Sequence, residues 1–277
     1  MKLFTVDTGF FKLDGGAMFG VVPKSIWSKL NAPDENNMCT WAMRCLLADT
    51  GERRILIDTG IGSKQSDKFF GYYSLHGDAS LEGSLAKLGY APEDITDVLL
   101  THLHFDHCGG AVKKKEDQLI PTFPNAKYHC NRAQWEWAVN PNPREKASFL
   151  SENILPLKEA GCLALFETGE EPIPGMGLIH VSGHTESMTL PYFHYKGTQI
   201  YYMADLIPSM AHVPIPYVMA YDVRPLQTMK EKASILQTVL EAKAYLFFEH
   251  DPLIEMCQLT RGEKGIMAHN SMKLADL

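Results

Sequence analysis

"THLHFDHCGG", Thr101 to Gly110, packs three histidines and an aspartate into six consecutive positions directly after the apolar run "DVLL". "ITDVLL" reads as a short buried strand. His102 and His104 are two residues apart, so an extended chain sets both on one side. Asp106 and His107 follow where Gly109 and Gly110 turn the chain, so these adjacent residues can point to neighbouring positions. One tight segment can thus serve two metal ions. Imidazoles and carboxylates suit zinc, and also manganese, iron or cobalt. Cys108 has two readings: a small buried residue beside a tight turn, or a thiolate with a ligand or redox role.

Three further apolar runs end in the same way. "GLIHVSG" leads into His184, "QIYYMAD" reaches Asp205, and "AYLFFEHD" reaches His250. Four strands therefore each deliver a ligand-type residue at the C-terminal end, where the chain leaves a rigid sheet and meets an accessible cleft.

The rest of the chain alternates strands and helices, which argues for a layered α/β or α+β fold in one domain, residues 1–277. "KLFTVDTGFF" reads as a strand, and "TWAMRCLLAD" with "RRILIDTG" as a hairpin turning at Asp49 to Glu52. Residues 13–37 form a long irregular segment, with a short "SIWSKL" that can make a helical turn; such segments serve as functional loops or partner contacts. "SLEGSLAKLG" places Leu81, Leu85 and Leu88 at helical spacing with Gly89 as the cap. "AKYHCN" reads as a strand, and "NRAQWEWAVN" as a helix capped by Asn131. "PNPREKASFLSENILPLKEAG" reads as helical with proline breaks. Pro225 opens an amphipathic helix whose Leu226, Met229, Ala233, Leu236 and Leu240 are expected to face the core.

Composition narrows the function. Lys plus Arg number 26 against 33 Asp plus Glu, a net charge of −7, so the chain has no general attraction for nucleic acid or anionic membrane. "KKK" at 113–115 reads as a solvated turn. No apolar run approaches the roughly 20 residues of a membrane helix, and the N-terminus lacks a signal-peptide pattern. The six cysteines form no CxxC pair. A cytoplasmic protein with free thiols is expected.

"HLHFDH" with His184, Asp205 and His250 resembles the dinuclear hydrolases of the metallo-β-lactamase superfamily, from "ILIDTG" to "FFEHD". The resemblance implies a four-layer αββα sandwich of the α+β class. It implies that His102, His104 and His184 hold one divalent metal, that Asp106, His107 and His250 hold the other, and that Asp205 bridges them. Asp58, in "IDTG", would support the ligands from behind. Two zinc ions are the first expectation, with manganese, iron or cobalt as alternatives. Such a pair lowers the pKa of a shared water towards neutrality, giving a bridging hydroxide that attacks an electrophilic carbon or phosphorus. Asp106 is the candidate catalytic proton shuttle. No Ser–His–Asp arrangement and no GxSxG is found, and none is needed.

"ADLIPSMAHVPIPYVMAYD" and "LDGGAMFGVVPKSIW" look like the branch holding acyl-homoserine lactonases and methyl-parathion-hydrolase-like enzymes. The resemblance implies a small lactone or related ester as substrate, a homodimer, and residues 13–37 as pocket rim and dimer contact. Met18, Phe19 and Trp27 are candidates for the acyl site, against ordinary loop packing. The lactonases place a tyrosine just after the bridging aspartate. Here Leu206, Ile207 and Pro208 follow it, so His212, Tyr217 and Tyr221 are candidates to replace that tyrosine. A phosphotriesterase or arylesterase activity, and a slow-turnover ligand sensor, are the competing readings.

Overall fold

The computed structural model describes residues 1–263 and 265–277. The N-terminal half supplies β1 (Lys2–Asp14), β2 (Met38–Asp49), β3 (Arg54–Ile57), β4 (Asp97–Leu99), β5 (Val112–Lys115), β6 (Gln118–Pro121), β7 (Lys127–Asn131) and β8 (Leu163–Phe166). The C-terminal half supplies β9 (Gly177–Val181), β10 (Met188–Tyr195), β11 (Thr198–Tyr202), β12 (Tyr245–Phe247), β13 (Met256–Gly262) and β14 (Gly265–Met272). Strands β1-β2-β3-β4-β7-β8 form one six-stranded sheet and β14-β13-β12-β11-β10-β9 a second. β5 and β6 pair as a separate hairpin, so "KKK" is strand rather than plain turn. Each main sheet is mixed: β3, β4, β7 and β8 run parallel, as do β11 and β12.

Period-two alternation builds the layers. On β2, Leu46 and Ala48 join the core shared with the second sheet, while Cys45 and Leu47 join the core on the opposite face. Ile55 and Ile57 against Leu56 repeat the pattern on β3. A strand buried on both faces reads as a continuous apolar run, as "RCLLAD" and "RILI" do. The outer face of the first sheet is covered by α4 (Leu81–Lys87), α6 (Arg132–Val139) and α7 (Ser151–Glu159), through Leu85, Trp135 and Leu157. The second sheet is covered by α8 (Pro225–Glu241), through Ile235, Leu236 and Val239. The result is helix, sheet, sheet, helix.

Of the stripe expected on α8, only Leu236 is buried; Ala233 is exposed and Leu226 is 74% exposed. The inward face is instead Thr228, Lys232, Ile235, Leu236 and Val239. Lys232 is accommodated because its ammonium donates to the carbonyls of Pro214, at 3.0 Å, and Tyr217, at 2.8 Å. Helix in "PNPREKASFLSENILPLKEAG" is confined to α7; residues 143–148 are turns. In segment 13–37 the helical turn expected at "SIWSKL" is present, and the residues before it are more ordered than expected. β1 runs through Asp14, and the short helices α1 (Gly15–Phe19) and α2 (Lys24–Trp27) follow, with the Asp14 carboxylate accepting the Ala17 N–H. Phe19, Trp27 and Trp41 centre a third apolar cluster under this segment.

Candidate metal centre

The site lies where four strands end. β4 leads into His102 and His104, and α5 (Phe105–Cys108) carries Asp106 and His107. β9, β11 and β12 lead into His184, Asp205 and His250. The first sheet thus contributes four side chains and the second three. All seven are at most 7% exposed. Two backbone turns aim the site from positive φ, Asp58 at 57° and Ala204 at 41°. Non-glycine residues held there store strain, a feature concentrated at functional sites.

The seven side chains form two groups, His102–His104–His184–Asp205 and Asp106–His107–His250. Asp205 faces both. Its Oδ2 lies 3.1 Å from His184 Nε2 and 3.8 Å from His102 Nε2. Its Oδ1 lies 3.0 Å from His250 Nε2 and 3.5 Å from His107 Nε2. Asp106 Oδ2 is 3.8 Å from Nε2 of both His107 and His250.

Proton placement tests whether these groups fit metal ions. His250 Nδ1–H donates to the Ala42 carbonyl at 2.7 Å, and His184 Nδ1–H to Asp222 at 2.9 Å. His107 Nδ1–H has Asp58 at 3.1 Å and Glu249 at 3.0 Å. His102 Nδ1–H donates to the Thr101 hydroxyl at 3.0 Å, which itself donates to Asp58 at 2.6 Å. With the ring protons held there, each Nε2 turns a lone pair inward. His107 and His250 then face each other Nε2 to Nε2 at 3.1 Å, and His184 Nε2 faces His104 Nδ1 at 3.1 Å. Facing lone pairs repel unless a cation lies between them. Ligand atoms about 2.0–2.1 Å from a tetrahedral ion stand roughly 3.3–3.4 Å apart, and the separations of 3.0–3.8 Å bracket that spacing. His102 Nε2 and Asp205 Oδ1 are buried and make no hydrogen bond among the described residues. The donor set fits two divalent cations.

The field in the site has the matching sign. Burial opposes the charged form of His184, but Asp205 and Asp222 outweigh it and lift its pKa to about 10. Burial would likewise raise Asp205, yet His107, His250 and His184 hold it well below the usual carboxylate range. Burial lifts Glu249 to about 8, and Asp58 reinforces the shift.

Asp222, Glu249, Glu145 and Tyr73 also stand at the site, and none belongs to a motif visible in the sequence. Glu249 directly precedes His250, and that adjacency was its one local signal. Beside the metal groups opens a cavity of about 320 Å³, reached by His104, Asp106, His184, Asp205 and His250. Leu13, Met18, Phe105 and Met219 form apolar wall, and Tyr73 at the end of α3 (Asp67–Tyr73), Tyr221, Arg144 and Glu145 add polar groups. Of the six pocket candidates, Met18 and Tyr221 line this cavity. Phe19, Trp27 and His212 are buried behind it, with Phe19 stacked on Trp27 at 5.5 Å and on His212 at 4.6 Å. Tyr217 packs edge-on to Phe19 at 6.5 Å. Cys108 is buried, its thiol donating to the Leu103 carbonyl at 3.3 Å, and it belongs to neither metal group.

Two facing sheets gather imidazoles and carboxylates at their strand ends into a candidate metal centre. Residues 44–250 match the family model "Metallo-beta-lactamase superfamily". The chain belongs to that superfamily. An N-acyl homoserine lactonase of Bacillus sp. is 28% identical over 194 residues, and the match covers 66% of each chain. The chain therefore spans just under two thirds of that relative's length. A probable metal-dependent hydrolase from Staphylococcus aureus has a TM-score of 0.88 at 30% identity, covering 98% of both chains. AidC, described as a dizinc quorum-quenching lactonase, shares the fold with a TM-score of 0.80 at 22% identity, covering 98% of this chain and 95% of its own. No helix among the described residues is long and apolar enough to cross a membrane.

Proposed function

We propose that residues 1–277 form a single dinuclear metallohydrolase domain that opens a lactone, of the acyl-homoserine type, or a closely related ester. The observation that carries this is Asp205, whose two oxygens face separate groups of histidines. His102, His104 and His184 would hold one ion, Asp106, His107 and His250 the other, and Asp205 both. Zinc is the first choice for so imidazole-rich a set. Bound there, two such ions supply Lewis acidity and an acidified water.

The protein's own groups do the rest. Asp106 belongs to the second metal group and also opens on the cavity, so it can pass a proton to the leaving oxygen. Leu13, Met18, Phe105 and Met219 give the acyl chain an apolar wall. Leu206 and Ile207, after Asp205, are buried and carry no hydroxyl. Tyr221 reaches the cavity from the same loop and takes the place of the expected tyrosine at the substrate carbonyl. The relatives named N-acyl homoserine lactonase support the substrate class. Val21, Ile26 and Leu30 expose apolar surface at 88%, 46% and 50%, which supports segment 13–37 as a homodimer contact. Six free cysteines support a cytoplasmic setting.

The test is proton release at constant pH from N-acyl homoserine lactones of graded chain length. The enzyme is reconstituted with zinc, manganese or cobalt. Ring opening is expected in the wild type, and its loss in His104→Ala and in Asp106→Asn. No turnover by protein that holds two metals would overturn the lactone assignment.

A further inference from the structure

Glu145 lies between α6 and α7 and is 3% exposed. Its Oε1 is buried without a hydrogen-bond partner, and so is His104 Nε2. The two atoms face each other at 3.5 Å. Buried polar atoms left unpaired are costly, so two that face each other inside a closed site are natural partners. Their pairing follows from how His104 is turned. His102, His107, His184 and His250 present Nε2 to the centre, whereas His104 presents Nδ1, which lies 3.1 Å from His184 Nε2. A lone pair on Nδ1 requires the ring proton on Nε2. Glu145 Oε1 is the acceptor facing that proton.

Glu145 is itself anchored. The Trp137 indole N–H donates to Oε2 at 2.7 Å, and the Asn142 amide donates to the same oxygen, which leaves Oε1 for His104. The loop grips the motif at two more points. Phe105 N–H donates to the Ser148 carbonyl at 3.0 Å, and the Phe149 ring lies 4.8 Å from that of His104. Arg144, Ala147 and Ser148 of this loop also line the cavity.

We propose that Glu145 is a positioning residue: it holds the Nε2–H of His104 and so presents Nδ1 to the metal that His104 shares with His102 and His184. This rests on the dinuclear reading above. Outer carboxylates of this kind fix the tautomer of a ligating imidazole, and their loss weakens metal binding about 10–100-fold. The loop that shapes the substrate cavity thereby also sets the hold on one of the two metals.

Two measurements test it. Long-range ¹H–¹⁵N correlation on the zinc-loaded wild type is expected to show His104 protonated at Nε2; protonation at Nδ1 would overturn the assignment. It uses the native protein, so it stands even where the variant does not fold. Competition with a chromophoric chelator is expected to show that Glu145→Ala weakens one of two bound zincs about 10–100-fold and leaves the other unchanged. Both zincs held as in the wild type, or both weakened equally, would overturn it. A wild type that binds fewer than two zincs would instead overturn the dinuclear reading.

Discussion

His212 is fully buried with both ring nitrogens engaged: Nε2–H donates to the Met18 carbonyl at 2.9 Å, and Nδ1 accepts from the Ser209 hydroxyl at 2.8 Å. It ties the loop after Asp205 to α1 rather than meeting substrate. Burial pushes its pKa down to about 3. The unfolded chain, with a His pKa near 6.5, therefore binds the extra proton between about pH 6.5 and 3. Stability from this group is present above that window and lost as pH falls through it. Urea unfolding of the metal-free protein at pH 7 and pH 5 measures the loss. His212→Asn is expected to lose less than the wild type over that interval, by about 2 kcal/mol; equal losses would contradict the assignment. Residue chemistry also decides what sequence could reveal. The seven clustered side chains were legible as candidate ligands because imidazole and carboxylate can bind metal wherever they stand. Their partners were not. Asp222 meets His184 across 38 positions, and nothing in "MAYD" signals that contact.

Strand ends were legible as elements because each apolar run terminates at its ligand. The turn after α5 depends on close packing that only the fold reveals. A Cβ on Gly110 would lie 2.2 Å from the Thr59 carbonyl oxygen, and Gly110 N–H donates to Gly60 at 2.9 Å. Gly110→Ala must push apart the two loops that carry Asp58 and His107. A loss of about 2 kcal/mol in urea unfolding is expected, and unchanged stability would show that the loops are slack. For α8, periodicity gave a helix but the wrong inward face. Lys232 turns inward because the carbonyls at 214 and 217 receive its ammonium, a tertiary partner that no helical pattern encodes. Glu145 was hidden in the same way, inside a stretch read as helix that folds as turns.

The centre joins the two halves of the sandwich. His102, His104, Asp106 and His107 come from the first sheet, and His184, Asp205 and His250 from the second. Ions held there bind the folded state alone, so they stabilise it by mass action, by about 4 kcal/mol at a free concentration 1,000-fold above Kd. Chelation is expected to lower Tm by roughly 10 °C for a chain of this size, and readdition of zinc to restore it. A Tm indifferent to chelator would place the metals outside the fold's energetics. In the proposed site one carboxylate, Asp205, serves two ions. Anomalous diffraction at the zinc edge from zinc-loaded crystals tests it most directly. Two peaks about 3.5–4 Å apart, one facing each oxygen of Asp205, are expected; a single peak, or none beside Asp205, would rule out the shared carboxylate.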